Sequence, residues 1–245
     1  MKLLVDAGNT RIKWQLREGS EIRLAGSATL ESGDLFEGIT RTEWQDIPSI
    51  SVSTVRSEHA RIELERVIKG YTATPVRFFW TRSSFGRLTC AYEDPSAMGA
   101  DRWHALVGAW HEIQGACAVV DAGSAITIDW IDAGGQHLGG YILPGRTMMT
   151  DSLRQGTARV LFDAGQAEGI SPGQTTAECV FHGVNWLTRA LAEQLGRDLA
   201  VPVLITGGDG SLIKTALDNY QDSRIPLVAL RPDLVLDGLA LVGAE

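Results

Sequence analysis

The chain has 245 residues, 44% hydrophobic and 21% charged, with a net charge of −8 and three cysteines. That length suffices for one large or two modest domains with substantial cores, and the acidic balance argues against a general binder of nucleic acid or membrane surfaces, because nothing supplies a broad positive field. Cys90, Cys117 and Cys179 are widely spaced with no C-x-x-C pair, no run of about 18 apolar residues occurs, and the chain opens directly on a strand-like run, so a soluble cytoplasmic protein in a reducing compartment is expected.

The first predicted element is a hairpin. Leu3-Leu4-Val5 runs into Asp6-Ala7-Gly8-Asn9-Thr10, and the alternating Arg11-Ile12-Lys13-Trp14-Gln15-Leu16 follows, which reads as strand, tight turn, strand. Glu21 to Ala28, Ile50 to Val55 and Val76 to Trp80 read as further strands. Between Ser57 and Tyr71 the residues Ala60, Leu64, Val67, Ile68 and Tyr71 recur at helical spacing. A second helix is marked by Trp103, Leu106, Val107, Trp110 and Ile113 after Asp101. Both stripes are core faces.

The order then repeats. Ala118-Val119-Val120 leads into Asp121-Ala122-Gly123-Ser124-Ala125 and the alternating Ile126 to Ile131, a second strand, turn and strand. A glycine-rich stretch from His137 to Leu143, a helix from about Thr175 to Leu195 with a hydroxyl cap, and a strand from Pro202 to Thr206 follow. That strand ends in Gly207-Gly208-Asp209, and Leu212, Ile213, Ala216, Leu217 and Tyr220 mark another helix. Leu227 to Leu230 is a last strand, and Asp237 to Val242 a closing helix. Two strand-rich starts, each followed by alternating helices and strands, predict duplicated α/β domains with a cleft between them. Their boundary is expected near residues 113–114, giving domains 1–113 and 114–245.

Three segments carry candidate chemistry. A glycine turn lets backbone approach a polyphosphate, Asn9, Thr10 and Ser124 offer neutral hydrogen bonds, and Asp6 and Asp121 can hold cations; the same triplet also occurs in ordinary hairpin turns. Asp101, in Gly99-Ala100-Asp101-Arg102, is either a helix cap or a base that accepts a hydroxyl proton during phosphoryl transfer. Arg102 is an anion clamp or a surface ion-pair partner. Gly207-Gly208-Asp209 either lies against a flat ligand such as adenine or begins an ordinary turn with Asp209 as cap. No Walker loop, dinucleotide-binding G-x-G-x-x-G, nucleophile elbow or histidine metal motif is present in the sequence.

With Asp6 to Thr10 and Lys13, Gly99 to Arg102, Asp121 to Ala125, Gly139-Gly140-Tyr141-Ile142-Leu143-Pro144-Gly145, Thr176-Ala177-Glu178 and Thr206 to Asp209 in this order, the chain resembles the type III pantothenate kinases. These belong to the acetate kinase, sugar kinase, Hsp70 and actin superfamily. The resemblance implies two ribonuclease H-like (actin-like ATPase) domains with the active site in the cleft between them, and transfer of the ATP γ-phosphoryl group to pantothenate, the first step toward coenzyme A. It implies Asp101 as proton acceptor, and ATP-phosphate contacts from Asp6, Ala7, Gly8, Asn9, Thr10, Arg11, Ile12, Lys13 and Ser124. It further implies magnesium at Asp6 through water, potassium or ammonium at Asp121, and a pantothenate pocket of Tyr92, Gly99, Ala100, Asp101, Arg102 and Thr176.

A homodimer is implied as well. The chain departs from the usual family pattern in carrying Ser124 where threonine is common, which keeps the hydroxyl. It departs again in Arg159-Val160-Leu161-Phe162-Asp163 after the Pro144-Gly145 turn, which bears on lid or interface detail. Two other readings stay open: a superfamily kinase with a different small acceptor, and a non-catalytic regulator that kept the fold.

Overall fold

The structure is a computed structural model that describes residues 1–29, 32, 34–157, 160–163, 165 and 168–244; Arg159, in the departing segment just named, lies outside them. By contacts it divides into two compact units, one of residues 1–115, 131–139 and 233–245 and the other of 116–130 and 140–232. Relative to the sequence halves, 131–139 and the C-terminal helix group with the first unit.

The first unit opens with β1 (Lys2–Ala7), β2 (Ile12–Glu18) and β3 (Glu21–Ala28), continues through α1 (Arg41–Gln45), β4 (Ile50–Thr54), α2 (Glu58–Lys69) and β5 (Val76–Phe79), and has a small ribbon of β6 (Ser84–Phe85) and β7 (Leu88–Thr89). Its five-stranded sheet has the order β3-β2-β1-β4-β5. β1 to β3 form an antiparallel meander, whereas β4 and β5 run parallel to β1. A 3₁₀ turn at Pro95–Ala97 leads into α3 (Ala100–Ile113).

One side of this sheet is closed by a core of Leu3, Val5, Ile12, Trp14, Leu16, Phe36, Trp44, Ile50, Val52, Leu64 and Ile68. Phe36 is its aromatic centre, 5.8 Å from Trp14 and edge-on to Trp44 at 5.4 Å, and Trp14 Nε1 donates to Leu35 O at 2.8 Å. The helices are capped as their sequences dictate: Ser57 bonds the Ala60 N–H at α2, and Thr40 and Glu43 form a capping box at α1.

The second sheet is assembled from β8 (Cys117–Ala122), β9 (Ala125–Ile131), β10 (His137–Pro144), β11 (Val203–Thr206) and β12 (Val228–Leu230), in the order β10-β9-β8-β11-β12. It repeats the first sheet strand for strand, as the doubled Asp-Ala-Gly turn predicts. α4 (Arg146–Gly156), α5 (Thr176–Asp198) and α6 (Gly210–Asp218) complete the second unit, and a core of Ala118, Val120, Ile126, Ile128, Leu195, Val203, Ile205, Ile213 and Leu217 fills it. Thr175 and Glu178 supply the expected capping box at α5.

α7 (Leu234–Val242) begins three residues before the predicted start and packs in the first unit. Leu234, Val235 and Leu236 are all buried there, so an apolar burst with no helical period precedes the recognisable stripe. Arg17 donates to Asp237 Oδ1 at 2.7 Å and Lys2 Nζ to Ala240 O at 3.1 Å, which fastens α7 to β1 and β2. No helix among the described residues is long and apolar enough to cross a membrane.

Candidate active site

The first turn spans Gly8 to Arg11 between β1 and β2. Asp6 and Lys13 are direct cross-strand partners, so their side chains share one face of the sheet; both are half-buried, whereas Asn9, Thr10 and Arg11 are exposed and Ala7 and Ile12 buried. Arg56, just past β4, holds the turn from within. Its Nε donates to Gly8 O at 2.6 Å and its Nη2 to Asn9 O at 3.0 Å, and Thr54 Oγ1 donates to Ala7 O at 3.2 Å. Three successive carbonyls are thus engaged, which preorganises the turn before any ligand arrives. Sequence reasoning passed over Arg56, although a cation at the carboxyl end of a parallel strand is where open α/β sheets bind ligands.

Gly99 to Arg102 enters α3 with Gly99 at the N-cap position and no side-chain cap bond. Asp101 lies inside the first turn, where its Oδ1 accepts the Arg102 N–H at 2.7 Å. A Cβ on Gly99 would sit 2.7 Å from that oxygen, so the glycine makes room for the carboxylate. Ala100 and Arg102 are buried and Asp101 is half-exposed. Arg102 Nη1 donates to Tyr92 Oη at 2.9 Å, with its guanidinium carbon 5.7 Å from the Tyr92 ring centroid. Tyr92, Asp101 and Arg102 therefore form one polar group, in which Arg102 is buried rather than on the surface.

One turn further along α3, His104 is wholly buried and its Nδ1 lies 2.8 Å from Ser53 Oγ. Burial, with the charge of Arg82 adding to it, lowers its pKa to about 3, so the imidazole is neutral. Ser53 is the β4 residue opposite Asp6. The helix that carries Asp101 is thereby tied to the strand beside Asp6. Sequence reasoning found no role for His104, because nothing in its spacing marks a buried partner.

In the second unit, Gly123 N–H donates to Ala125 O at 2.9 Å and closes the turn after Asp121. Asp121 is paired with Thr206 of β11 in the way that Asp6 is paired with Ser53. Ser124 is exposed, Asp121 half-buried. Two glycine segments press on this turn: Gly145 N–H donates to Ser124 O at 3.0 Å and Asp209 N–H to Ala122 O at 2.8 Å. A Cβ on Gly145 would collide with the Gly123 and Ser124 carbonyls, and one on Gly207, at φ +88°, with the Ala122 backbone.

Asp209 occupies the N-cap position of α6 without making a cap bond. Its Oδ1 lies 3.7 Å from Arg146 Nη1, and Arg146 Nη2 donates to Asn185 Oδ1 at 2.6 Å. Arg146 is a further residue not foreseen from sequence. Thr176 is exposed in the first turn of α5.

The donor set suits ions shared with phosphate. Among the described residues no three His, Cys, Asp or Glu side chains gather into a metal cage, so a magnesium ion at Asp6 would draw its remaining ligands from phosphate oxygens and water. At Asp121 a single carboxylate lies beside the turn, where the Ala122 and Gly207 carbonyls accept the Asp209 and Gly210 N–H groups.

The family model described as Type III pantothenate kinase matches residues 2–198. The chain belongs to the type III pantothenate kinase family. A family member from Marinobacter nauticus is 45% identical over 249 residues, covering 100% of this chain and 97% of its own length. Another, from Chromohalobacter salexigens, is 36% identical and covers 98% and 86%. Among solved structures, a Sinorhizobium meliloti protein described as a 2-dehydro-3-deoxygalactonokinase matches with a TM-score of 0.62 at 14% identity, covering 100% of this chain and 99% of that one. A Campylobacter jejuni protein described as a Baf-family transcriptional activator matches with a TM-score of 0.58 at 22% identity, covering 99% and 98%. These two show the fold, that of the actin-like ATPases and sugar kinases, which type III pantothenate kinases share.

Proposed function

We propose that this protein transfers the γ-phosphoryl group of ATP to the primary hydroxyl of pantothenate, giving phosphopantothenate and ADP. The observation that carries the reading is the half-exposed Asp101 carboxylate, set at the start of α3 beside Arg102 and Tyr92 in a chain of this family. Asp101 accepts the hydroxyl proton as the new oxygen–phosphorus bond forms and the bond to the β-phosphate oxygen breaks. Tyr92, Gly99, Ala100, Arg102 and Thr176 bind the acceptor in this reading. Asp6 to Lys13 and Ser124 contact the ATP phosphates, with Lys13 supplying a side-chain cation. Magnesium near Asp6 and potassium or ammonium at Asp121, when bound, neutralise charge that develops on the phosphates. The matching strand orders support 1–113 and 114–245 as two copies of one ancestral domain. A cytoplasmic location goes with ATP as donor.

A coupled assay offering pantothenate beside a panel of sugars and short carboxylates tests the acceptor: turnover is expected with pantothenate alone. In the same assay, replacing potassium and ammonium by sodium or a bulky organic cation is expected to lower the rate about tenfold or more. An unchanged rate removes the monovalent ion from Asp121. Absence of turnover by folded protein supports a regulator instead, the reading that the Campylobacter jejuni likeness keeps in view.

A homodimer is supported by apolar side chains left exposed on the second unit. Tyr141 and Ile142 of β10, Met148 of α4, and Trp186 and Leu187 of α5 are each about half exposed or more, an unusual load for a monomer surface. Light scattering is expected to give twice the chain mass of 26.5 kDa; the single-chain mass at micromolar concentration would sink the dimer.

A further inference from the structure

Residues 131–139 link β9 to β10 yet belong to the first unit, and they are bonded into it. Thr89 N–H donates to Gly135 O at 2.9 Å, Thr89 Oγ1 to Gln136 Oε1 at 2.6 Å, and Ala91 N–H to His137 Nδ1 at 3.3 Å. His137 is wholly buried. Its ring lies parallel to that of Tyr92, with 6.3 Å between centroids and 9° between planes. Tyr92 is thus held by a buried imidazole stacked on its ring and by the Arg102 guanidinium bonded to its oxygen.

That arrangement has a direction. A guanidinium only donates, so the bond from Arg102 uses a lone pair of the phenol oxygen and leaves the Tyr92 hydrogen to be directed elsewhere. The positive charge also makes that hydrogen a better donor. A ring that swung about its side-chain torsions would lose the aim, and the flat face of His137 together with the bond to the neighbouring Ala91 N–H limits the swing.

We propose that His137 is a positioning residue for the phosphoryl acceptor: it holds Tyr92 so that the phenol O–H, polarised by Arg102, donates to a carboxylate or amide oxygen of the acceptor. The proposal rests on the acceptor-pocket reading of Tyr92 and Arg102 given above. His137 itself touches no reacting atom in it. The segment 131–139 would then be what carries acceptor affinity from the second half of the sequence into the first unit.

Initial rates with pantothenate and ATP varied separately test it. For His137→Leu, the KM for pantothenate is expected to rise about tenfold while kcat and the KM for ATP stay within about twofold. His137→Phe, which keeps a flat ring beside Tyr92 and loses the imidazole's hydrogen bonding, that from Ala91 N–H included, is expected to recover most of the loss. Combining His137→Leu with Tyr92→Phe should add little to Tyr92→Phe alone, since both remove one contact. An unchanged pantothenate KM in both His137 variants overturns the proposal, as does an equal rise in both KM values. If His137→Leu does not fold, His137→Asn, which keeps an acceptor for the Ala91 N–H and loses the flat ring, is measured with and without Tyr92→Phe: a raised pantothenate KM that adds little to Tyr92→Phe upholds the proposal, and an unchanged or fully additive one overturns it. A wild-type protein that does not phosphorylate pantothenate would defeat the acceptor-pocket reading, whereas failure confined to the His137 variants defeats this proposal alone.

Discussion

Asp101→Asn is expected to lower kcat about 10²-fold or more with only a modest change in the KM for pantothenate. The two side chains have the same shape, and Asn Oδ1 can keep the bond from the Arg102 N–H that Asp101 Oδ1 now accepts at 2.7 Å. Helix α3 therefore has no reason to move, and Arg102 and Tyr92 keep their mutual bond at 2.9 Å. What is lost is the capacity to take a proton. Because positioning and charge neutralisation supply most of the acceleration in phosphoryl transfer, residual turnover well above background is expected. Steady-state kinetics with pantothenate, ATP, magnesium and potassium measure both constants, and a near-normal kcat would remove Asp101 from the proton path.

Gly238→Val is expected to cost about 3 kcal/mol or more of stability, because overpacking a tight crossing adds to the loss of the contacts it displaces. α7 crosses α3 so closely that a Cβ on Gly238 would collide with the His104 carbonyl, and one on Gly108 would lie 2.7 Å from Leu234 O. Both obstacles are backbone, so no side-chain rotation relieves them. For a chain of this size the loss corresponds to a fall of roughly 6–12 °C in the unfolding midpoint. Gly238→Ala should fall between wild type and valine. Calorimetry or thermal circular dichroism reads the order, and a midpoint unchanged in Gly238→Val would mean that the crossing is looser than the structure has it. Since α3 carries Asp101 and is held by His104 to Ser53, activity is expected to decline with stability.

Both hairpins, both sheets and the longer helices were legible because their signals are local. A fully buried strand such as Val203–Thr206 is a continuous apolar run ending in glycine, and α5 announces itself with Thr175 and Glu178 at capping-box spacing. α4 was not, because none of its residues is buried and its three large apolar residues, Met148, Met149 and Leu153, are too few to mark a helical period. α1, at five residues, is too short for any period to show. Within the site, the aspartates and glycines stood out through their repetition. Arg56, His104 and His137 did not, since each acts on a residue 46 to 51 positions away by numbering, and only the folded chain brings the partners together. Asp101 shows why type alone is insufficient: a cap and a base look alike in sequence, and in the fold the same carboxylate binds a helix-terminal N–H while staying half-exposed.

The grouping of residues 233–244 with the amino-terminal unit has a consequence for how the protein is made. Protein synthesis runs from the amino end at about 5–20 residues per second, and domains ordinarily fold as they emerge. Here the strands Lys2–Ala7 and Ile12–Glu18 come out long before the helix to which Lys2 and Arg17 bond, Leu234–Val242. The unit made of residues 116–130 and 140–232 can close before residues 234–242 are made. The unit that begins the chain has to wait until residues 234–242 have been made, with the side of α3 at His104 and Gly108 uncovered in the interval, and a ribosome stalled before residue 234 would leave that side open to proteases and chaperones.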